Sequence, residues 1–210
     1  ENMPKMPVYT EYKRCQQIRD EVNKAGINYI YPIEELKAAK NEGFTYLAED
    51  THWTSMGAFV AYKKFYESIG KQAGEYQYLD GKRVGGDLAE FIGEKHEYSY
   101  SYCNYRPEIT NISETHVDLR KGEKYSTYIN PNGQGNCIIV GDSYRESFKQ
   151  FAAKDFATVR SIHRDSYELP EYIELIKSLK AGDTLCLIDV ERMDYNTKDS
   201  AERITNILTK

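Results

Sequence analysis

Cys137-Ile138-Ile139-Val140-Gly141-Asp142-Ser143-Tyr144 decides the fold class. Four consecutive apolar residues have the length and character of a strand covered on both faces, as in a parallel sheet. Gly141-Asp142-Ser143 breaks that run as a tight turn. Tyr144 to Phe156 follows with the spacing of an amphipathic helix. Downstream, Ala157 to Ile162 reads as a strand, Glu171 to Leu179 as a helix, Thr184 to Ile188 as a strand and Asp199 to Leu208 as a closing helix. Strand alternating with helix points to an α/β domain with a central, mostly parallel sheet. Ligands in such sheets sit at the carboxyl ends of strands, which is where Ser143 stands.

Upstream the rhythm is similar. Residues 9–25 have helical spacing, and Gly26 closes them as a C-terminal cap would. Ile27 to Tyr31 reads as a short strand, and Pro32 opens a helix through Ala39 that Gly43 ends. Phe44-Thr45-Tyr46-Leu47 is a candidate strand leading into Asp50-Thr51-His52-Trp53. Thr54 suits the N-cap of a helix running to Ile69. The middle, 71–130, changes character. His96-Glu97-Tyr98-Ser99-Tyr100-Ser101-Tyr102 alternates strictly, which places three tyrosines on one strand face. Gly, Asn and Pro punctuate the rest. The segment reads as a β-rich insertion or lid within a single domain spanning 1–210.

The chain has 210 residues, 40% hydrophobic and 29% charged, so one ordinary domain with a substantial core is expected rather than a disordered tail. A net charge of −5 argues against nucleic acid as a general partner. No apolar run approaches the roughly 18 residues that a membrane-spanning helix needs. The chain opens on Glu1 rather than Met, so an upstream segment such as a signal peptide or membrane anchor is expected to have preceded it. Tyrosine occurs 19 times and tryptophan once. Such rings suit sugar surfaces, although strand propensity in a half-exposed sheet is the simpler explanation. Cys15, Cys103, Cys137 and Cys186 lack zinc-ligand spacing, and Cys137 and Cys186 read as buried core residues.

A serine becomes a nucleophile when a histidine takes its proton and a carboxylate orients that histidine. Ser143 lies on a strand-to-helix turn, where its backbone N–H stands at a helix N-terminus suited to an oxyanion. Asp50 and His52 supply the other two members from one short loop. Either half alone is common by chance. Together with Trp53 and the following Thr54-Ser55-Met56-Gly57, the case for nucleophilic catalysis is much stronger.

Asp50-Thr51-His52-Trp53-Thr54-Ser55-Met56-Gly57-Ala58 resembles the signature of alginate O-acetyltransferase-like proteins related to the SGNH hydrolases. Gly86-Asp87-Leu88, Gly141-Asp142-Ser143-Tyr144 and Ile188-Asp189-Val190-Glu191-Arg192 fall in that family's order. The resemblance implies a three-layer SGNH-hydrolase-like fold and O-acetylation of an exopolysaccharide. It makes Ser143 the nucleophile, His52 the base and Asp50 its orienting acid. It also implies an extracellular, cell-surface or periplasmic location and an acetyl donor delivered by a membrane-bound O-acyltransferase. Alginate, cellulose and amino-sugar polymers all remain open as acceptors. A carbohydrate acetylesterase on the same residues is one alternative, and a silent polysaccharide-binding module is another.

Tyr144, Arg145, Trp53 and Arg192 are the candidate substrate contacts. Arg145 replaces what is commonly a small residue in the family, and would contact substrate or face solvent. Trp53 also reads as packing that fixes the catalytic loop. Met193 stands where family members often carry Tyr. His96, His116 and His163 are scattered without metal-ligand spacing, so neither a metal nor a cofactor is expected.

Overall fold

The computed structural model describes residues 13–103, 112–119, 124–190 and 193–210. The described residues up to Tyr31 form one compact unit and Pro32–Lys210 a second. In the first, α1 covers Arg14–Lys24. Gly26 follows it at φ 74°, a left-handed conformation that glycine adopts without steric cost, as the sequence suggests for this cap. Ile27 to Tyr31, expected as a strand, forms none.

The second unit runs α2 (Ile33–Ala39), α3 (Ser55–Ser68), β1 (Tyr78–Val84), α4 (Asp87–Ile92), β2 (Glu97–Cys103), β3 (Ser113–Asp118) and β4 (Lys124–Ile129). It continues with β5 (Asn136–Gly141), α5 (Arg145–Asp155), β6 (Thr158–His163), α6 (Pro170–Lys177), β7 (Thr184–Ile188) and α7 (Met193–Leu208). Five strands make one sheet in the order β3-β4-β6-β5-β7. Its β6-β5-β7 part is parallel, whereas β3-β4 and β4-β6 are antiparallel. The sheet is therefore mixed rather than mostly parallel. The cause is chain length. A parallel return needs a crossover of about a dozen residues or more. Residues 130–135, the whole link from β4 to β5, are too few, so the chain doubles back and β6 inserts between the two strands.

Helices cover both faces of the sheet, which explains the unbroken apolar run in β5. On one side Ile138, Val140 and Ile162 pack with Tyr172, Leu175 and Ile176 of α6 and Ile204 of α7. On the other, Tyr62 of α3 packs against Phe148 and Phe151 of α5, with ring centroids 5.3 and 5.9 Å apart. Tyr62 and Phe151 are fully buried. Each such side chain contributes roughly 1.5–3 kcal/mol of transfer free energy, so this double-sided core fixes β5 firmly at the centre.

The segment 71–130 divides. β1 and β2 form a separate antiparallel ribbon, while β3 and β4 extend the main sheet. On β2, Ser101 and Cys103 are buried, and the alternating Tyr98, Tyr100 and Tyr102 lie half-buried on the other face. The Cys103 N–H donates to Ser55 Oγ at 2.9 Å, which ties the ribbon to the start of α3.

Candidate active site

Ser143 owes its position to Asp142. The Asp142 carboxylate accepts the Tyr144 N–H at 3.1 Å through one oxygen and the Val190 N–H at 2.7 Å through the other. The Asp142 N–H donates to the Ile188 carbonyl at 3.0 Å. The turn is thereby fastened to the end of β7, and Ser143 stands above the carboxyl ends of the parallel strands.

His52 is fixed by the neck of its loop. Tyr46 and Trp53 form an isolated antiparallel bridge, and Leu47 N–H bonds the His52 carbonyl at 3.1 Å. Phe44 to Leu47 is thus one arm of a tight loop rather than a sheet strand. Thr54 closes the loop as the N-cap of α3, accepting the Gly57 N–H at 3.2 Å and donating to the Phe44 carbonyl at 2.7 Å. Such a cap contributes about 1 kcal/mol. A Cβ at Gly57 would lie 2.1 Å from the Thr45 carbonyl oxygen, which accounts for glycine at that position.

Within the loop, Asp50 Oδ1 accepts the His52 backbone N–H at 3.0 Å and faces His52 Nδ1 at 2.6 Å. His52 Nε2 lies 2.6 Å from Ser143 Oγ. With a carboxylate as the partner of Nδ1, the imidazole proton belongs on that nitrogen, and Nε2 is left to accept the serine O–H. The fold thus unites the three residues that the sequence singled out from positions 91 apart.

Two groups at this site were not foreseen as such. Arg83 of β1 donates through Nη2 to Asp50 Oδ2 at 2.9 Å. Asp87, at the start of α4, accepts the Thr51 N–H at 2.7 Å and also the Thr51 hydroxyl, and its Oδ2 lies 3.7 Å from His52 Nδ1. Desolvation pushes the Asp87 carboxyl up, but the hydrogen bonds from Thr51, the nearby His52 and the Leu88 N–H outweigh it, leaving its pKa below the ordinary value. Gly86 lets α4 approach, since a Cβ there would meet the Glu49 carbonyl oxygen at 2.3 Å. The Gly86-Asp87-Leu88 segment carried a signal through the resemblance. Arg83 carried none, because nothing local marks a ribbon residue that reaches back 33 positions.

Asp50, His52, Ser143, Arg83, Tyr100 and Tyr102 line a cavity of about 470 Å³, together with Trp53 and Glu146. Tyr144 and Arg145, expected among the substrate contacts, stand behind that wall instead. The Tyr144 ring packs 5.1 Å from His52 and 5.2 Å from Trp53, and its hydroxyl donates to the Thr51 carbonyl. Arg145 is 2% exposed, so it does not face solvent. It donates to the Asp142 carbonyl at 3.1 Å and pairs with Glu146 at 2.9 Å, because the first turn of α5 directs it inward. Trp53 is 6% exposed and forms part of the cavity wall. Arg192 lies outside the described residues, as does the side chain of Met193.

The other histidines serve local structure. His96 bonds Glu49 at 2.6 Å, His116 bonds Ser126 at 3.0 Å, and His163 accepts the Asp165 N–H at 3.2 Å. Asp50, His52 and Asp87 offer three potential metal-ligand atoms within 4.8 Å of one another. The hydrogen bonds just described already engage those atoms. Among the described residues no helix is long and apolar enough to cross a membrane.

Comparison with known proteins bears on the family and the fold. Residues 1–162 match the model of the SGNH hydrolase-like domain of acetyltransferase AlgX. The probable alginate O-acetylase AlgJ of Pseudomonas syringae pv. tomato is 38% identical over 116 residues, covering 51% of this chain and 29% of that protein. Bacillus cereus PatB1 with a sulfonyl adduct superposes with a TM-score of 0.66 at 15% identity, over 96% of this chain and 78% of the other. A DHHW family protein from Eubacterium siraeum gives 0.64 at 18% identity, over 95% and 78%. Those two likenesses concern the fold. The match over most of its length shows that this chain belongs to the AlgX family of SGNH hydrolase-like acetyltransferase domains.

Proposed function

We propose that this domain transfers acetyl groups onto hydroxyls of an extracellular polysaccharide through an acetyl-serine intermediate. The observation that carries the reading is His52 bridging Asp50 and Ser143 with 2.6 Å contacts on each ring nitrogen. His52 Nε2 takes the Ser143 proton as Oγ attacks the acetyl carbonyl of the donor. The resulting oxyanion develops beside the N-terminal end of α5, where the backbone dipole favours negative charge. His52 returns the proton to the departing donor group, leaving acetyl-Ser143. An acceptor hydroxyl then gives its proton to His52, its oxygen attacks the ester, and Ser143 leaves as the restored hydroxyl.

A sugar acceptor suits the cavity because Tyr100 and Tyr102 line it with rings 5.7 Å apart, offering apolar faces with hydrogen-bonding tips. The donor, delivered by a membrane-bound O-acyltransferase, and a location outside the cytoplasm belong to the same proposal. The named activity of the AlgJ relative, a probable alginate O-acetylase, supports an acetyl-transferring role.

The test is p-nitrophenyl acetate turnover by the domain, by Ser143→Ala and by His52→Ala, with and without oligosaccharides. Turnover lost in both variants, with oligosaccharide gaining about 42 Da per acetyl, is the expected outcome. Free acetate with unmodified oligosaccharide would make the protein an esterase. Turnover no higher than that of Ser143→Ala would favour a polysaccharide-binding module.

A further inference from the structure

Asp50 divides its oxygens between two partners. Oδ1 serves His52 through both the backbone N–H and Nδ1, and Oδ2 accepts from Arg83 at 2.9 Å. The Asp50 side chain is 6% exposed, whereas that of Arg83 is 45% exposed on the cavity wall. A carboxylate buried to this degree is stable as an anion only when its charge and lone pairs are satisfied. Arg83 comes from β1, opposite Tyr98 of β2, and not from the loop that holds Asp50. The ribbon is therefore part of the electrostatic frame of the site.

We propose that Arg83 is a positioning residue for the acyl-transfer chemistry. Its guanidinium fixes the rotation of the Asp50 carboxylate and offsets the Asp50 charge at His52. The inference rests on the reading of Ser143, His52 and Asp50 given above. Asp50 alone orients His52 but also favours the imidazolium, which cannot accept the Ser143 proton. A second carboxylate, Asp87 of α4, lies 3.7 Å from the same ring nitrogen. From α5, Glu146 reaches the cavity wall, where Arg145 and Lys149 pair with it, and Tyr144 packs against the imidazole. From β2, Tyr98 lies within the fields of Arg83 and Asp50, and Tyr100 and Tyr102 complete the wall. Among the described residues, Asp50 and Asp87 thus face the His52 ring, Glu146 lines the same cavity, and Arg83 is a cation hydrogen-bonded to Asp50. Removing it makes the surroundings of His52 more negative and raises the pH needed to keep the imidazole neutral.

The experiment compares Arg83→Gln and Arg83→Lys with the unaltered chain in p-nitrophenyl acetate turnover from about pH 5 to about pH 9. Thermal unfolding of each confirms that it is folded, and Ser143→Ala is run alongside. For Arg83→Gln, kcat is expected to fall about 10- to 100-fold with a smaller change in KM, and the acid limb to move up by about half a pH unit or more. Arg83→Lys keeps the charge, so it is expected to restore the limb and most of kcat. A uniform loss at every pH with an unmoved limb, or equal behaviour of the Lys and Gln variants, would overturn the proposal. An inactive Ser143→Ala beside an Arg83→Gln with unchanged kcat and limb would overturn the role of Arg83 alone. Undiminished turnover by Ser143→Ala would overturn the underlying reading as well.

Discussion

The Tyr144 hydroxyl donates its hydrogen bond to the carbonyl of Thr51. The residue after the proposed nucleophile is thereby joined to the residue before the proposed base, across 93 positions of sequence. The 2.6 Å contact between His52 Nε2 and Ser143 Oγ depends on two separate turns keeping their spacing, and this phenol links them. Tyr144→Phe keeps the ring and removes the hydroxyl that makes the link. We expect a loss of stability of about 0.5–1.5 kcal/mol, the usual net value of one hydrogen bond. Turnover should fall by about tenfold or more, since small misplacements of reacting groups are costly. Wild-type kcat in a Phe variant would show that the link does not position the pair.

Gly57 offers a test of the loop as a packed structure. The Thr45 carbonyl oxygen occupies the space where a Cβ would stand, at 2.1 Å, so Gly57→Ala must displace backbone rather than a flexible side chain. Overpacking of this kind costs about 1–3 kcal/mol. A melting temperature several degrees lower is expected, and an unchanged one would contradict the close approach of α3 to the 44–46 segment.

Asp155 gives a pH dependence with a definite sign. Burial pushes its carboxyl above the ordinary value of 3.8, more than the hydrogen bond from Tyr62 and the charges of Lys154 and Lys71 lower it. A carboxyl whose folded pKa is raised favours folding in its protonated form. That stability is fully present below the unfolded pKa and is lost as the pH rises through the folded one. Asp155→Asn removes the titration and retains a carbonyl for the Tyr62 hydroxyl. The variant should therefore gain on the wild type as the pH rises from below the ordinary carboxyl value of 3.8 through the raised folded one. A difference in stability that does not change over this range would contradict the assignment.

Legibility in the sequence followed the reach of each interaction. β5, the Gly141-Asp142-Ser143 turn, the Thr54 cap and β7 are marked by residue type and spacing within a few residues, and so are readable from the sequence. The pairing of Asp50 with His52 was readable for the same reason. The sheet's direction was not, because it depends on where β6 inserts between β4 and β5. Phe44 to Leu47 has strand composition, but its hydrogen bonds go to His52, to Thr54 and to Ser101 of β2. Arg145 has the chemistry of a surface or substrate contact, and its burial follows from the pitch of α5. Arg83 and Asp87 act through long-range contacts that one sequence does not display.

The central claim is that acetyl passes through Ser143. Its most direct test is intact-protein and peptide mass spectrometry after brief exposure to p-nitrophenyl acetate without acceptor. The expected result is a single addition of about 42 Da on the peptide carrying Ser143, absent from Ser143→Ala and discharged when oligosaccharide is added. Equal acetylation of Ser143→Ala, or turnover with the acetyl group on another residue, would contradict it.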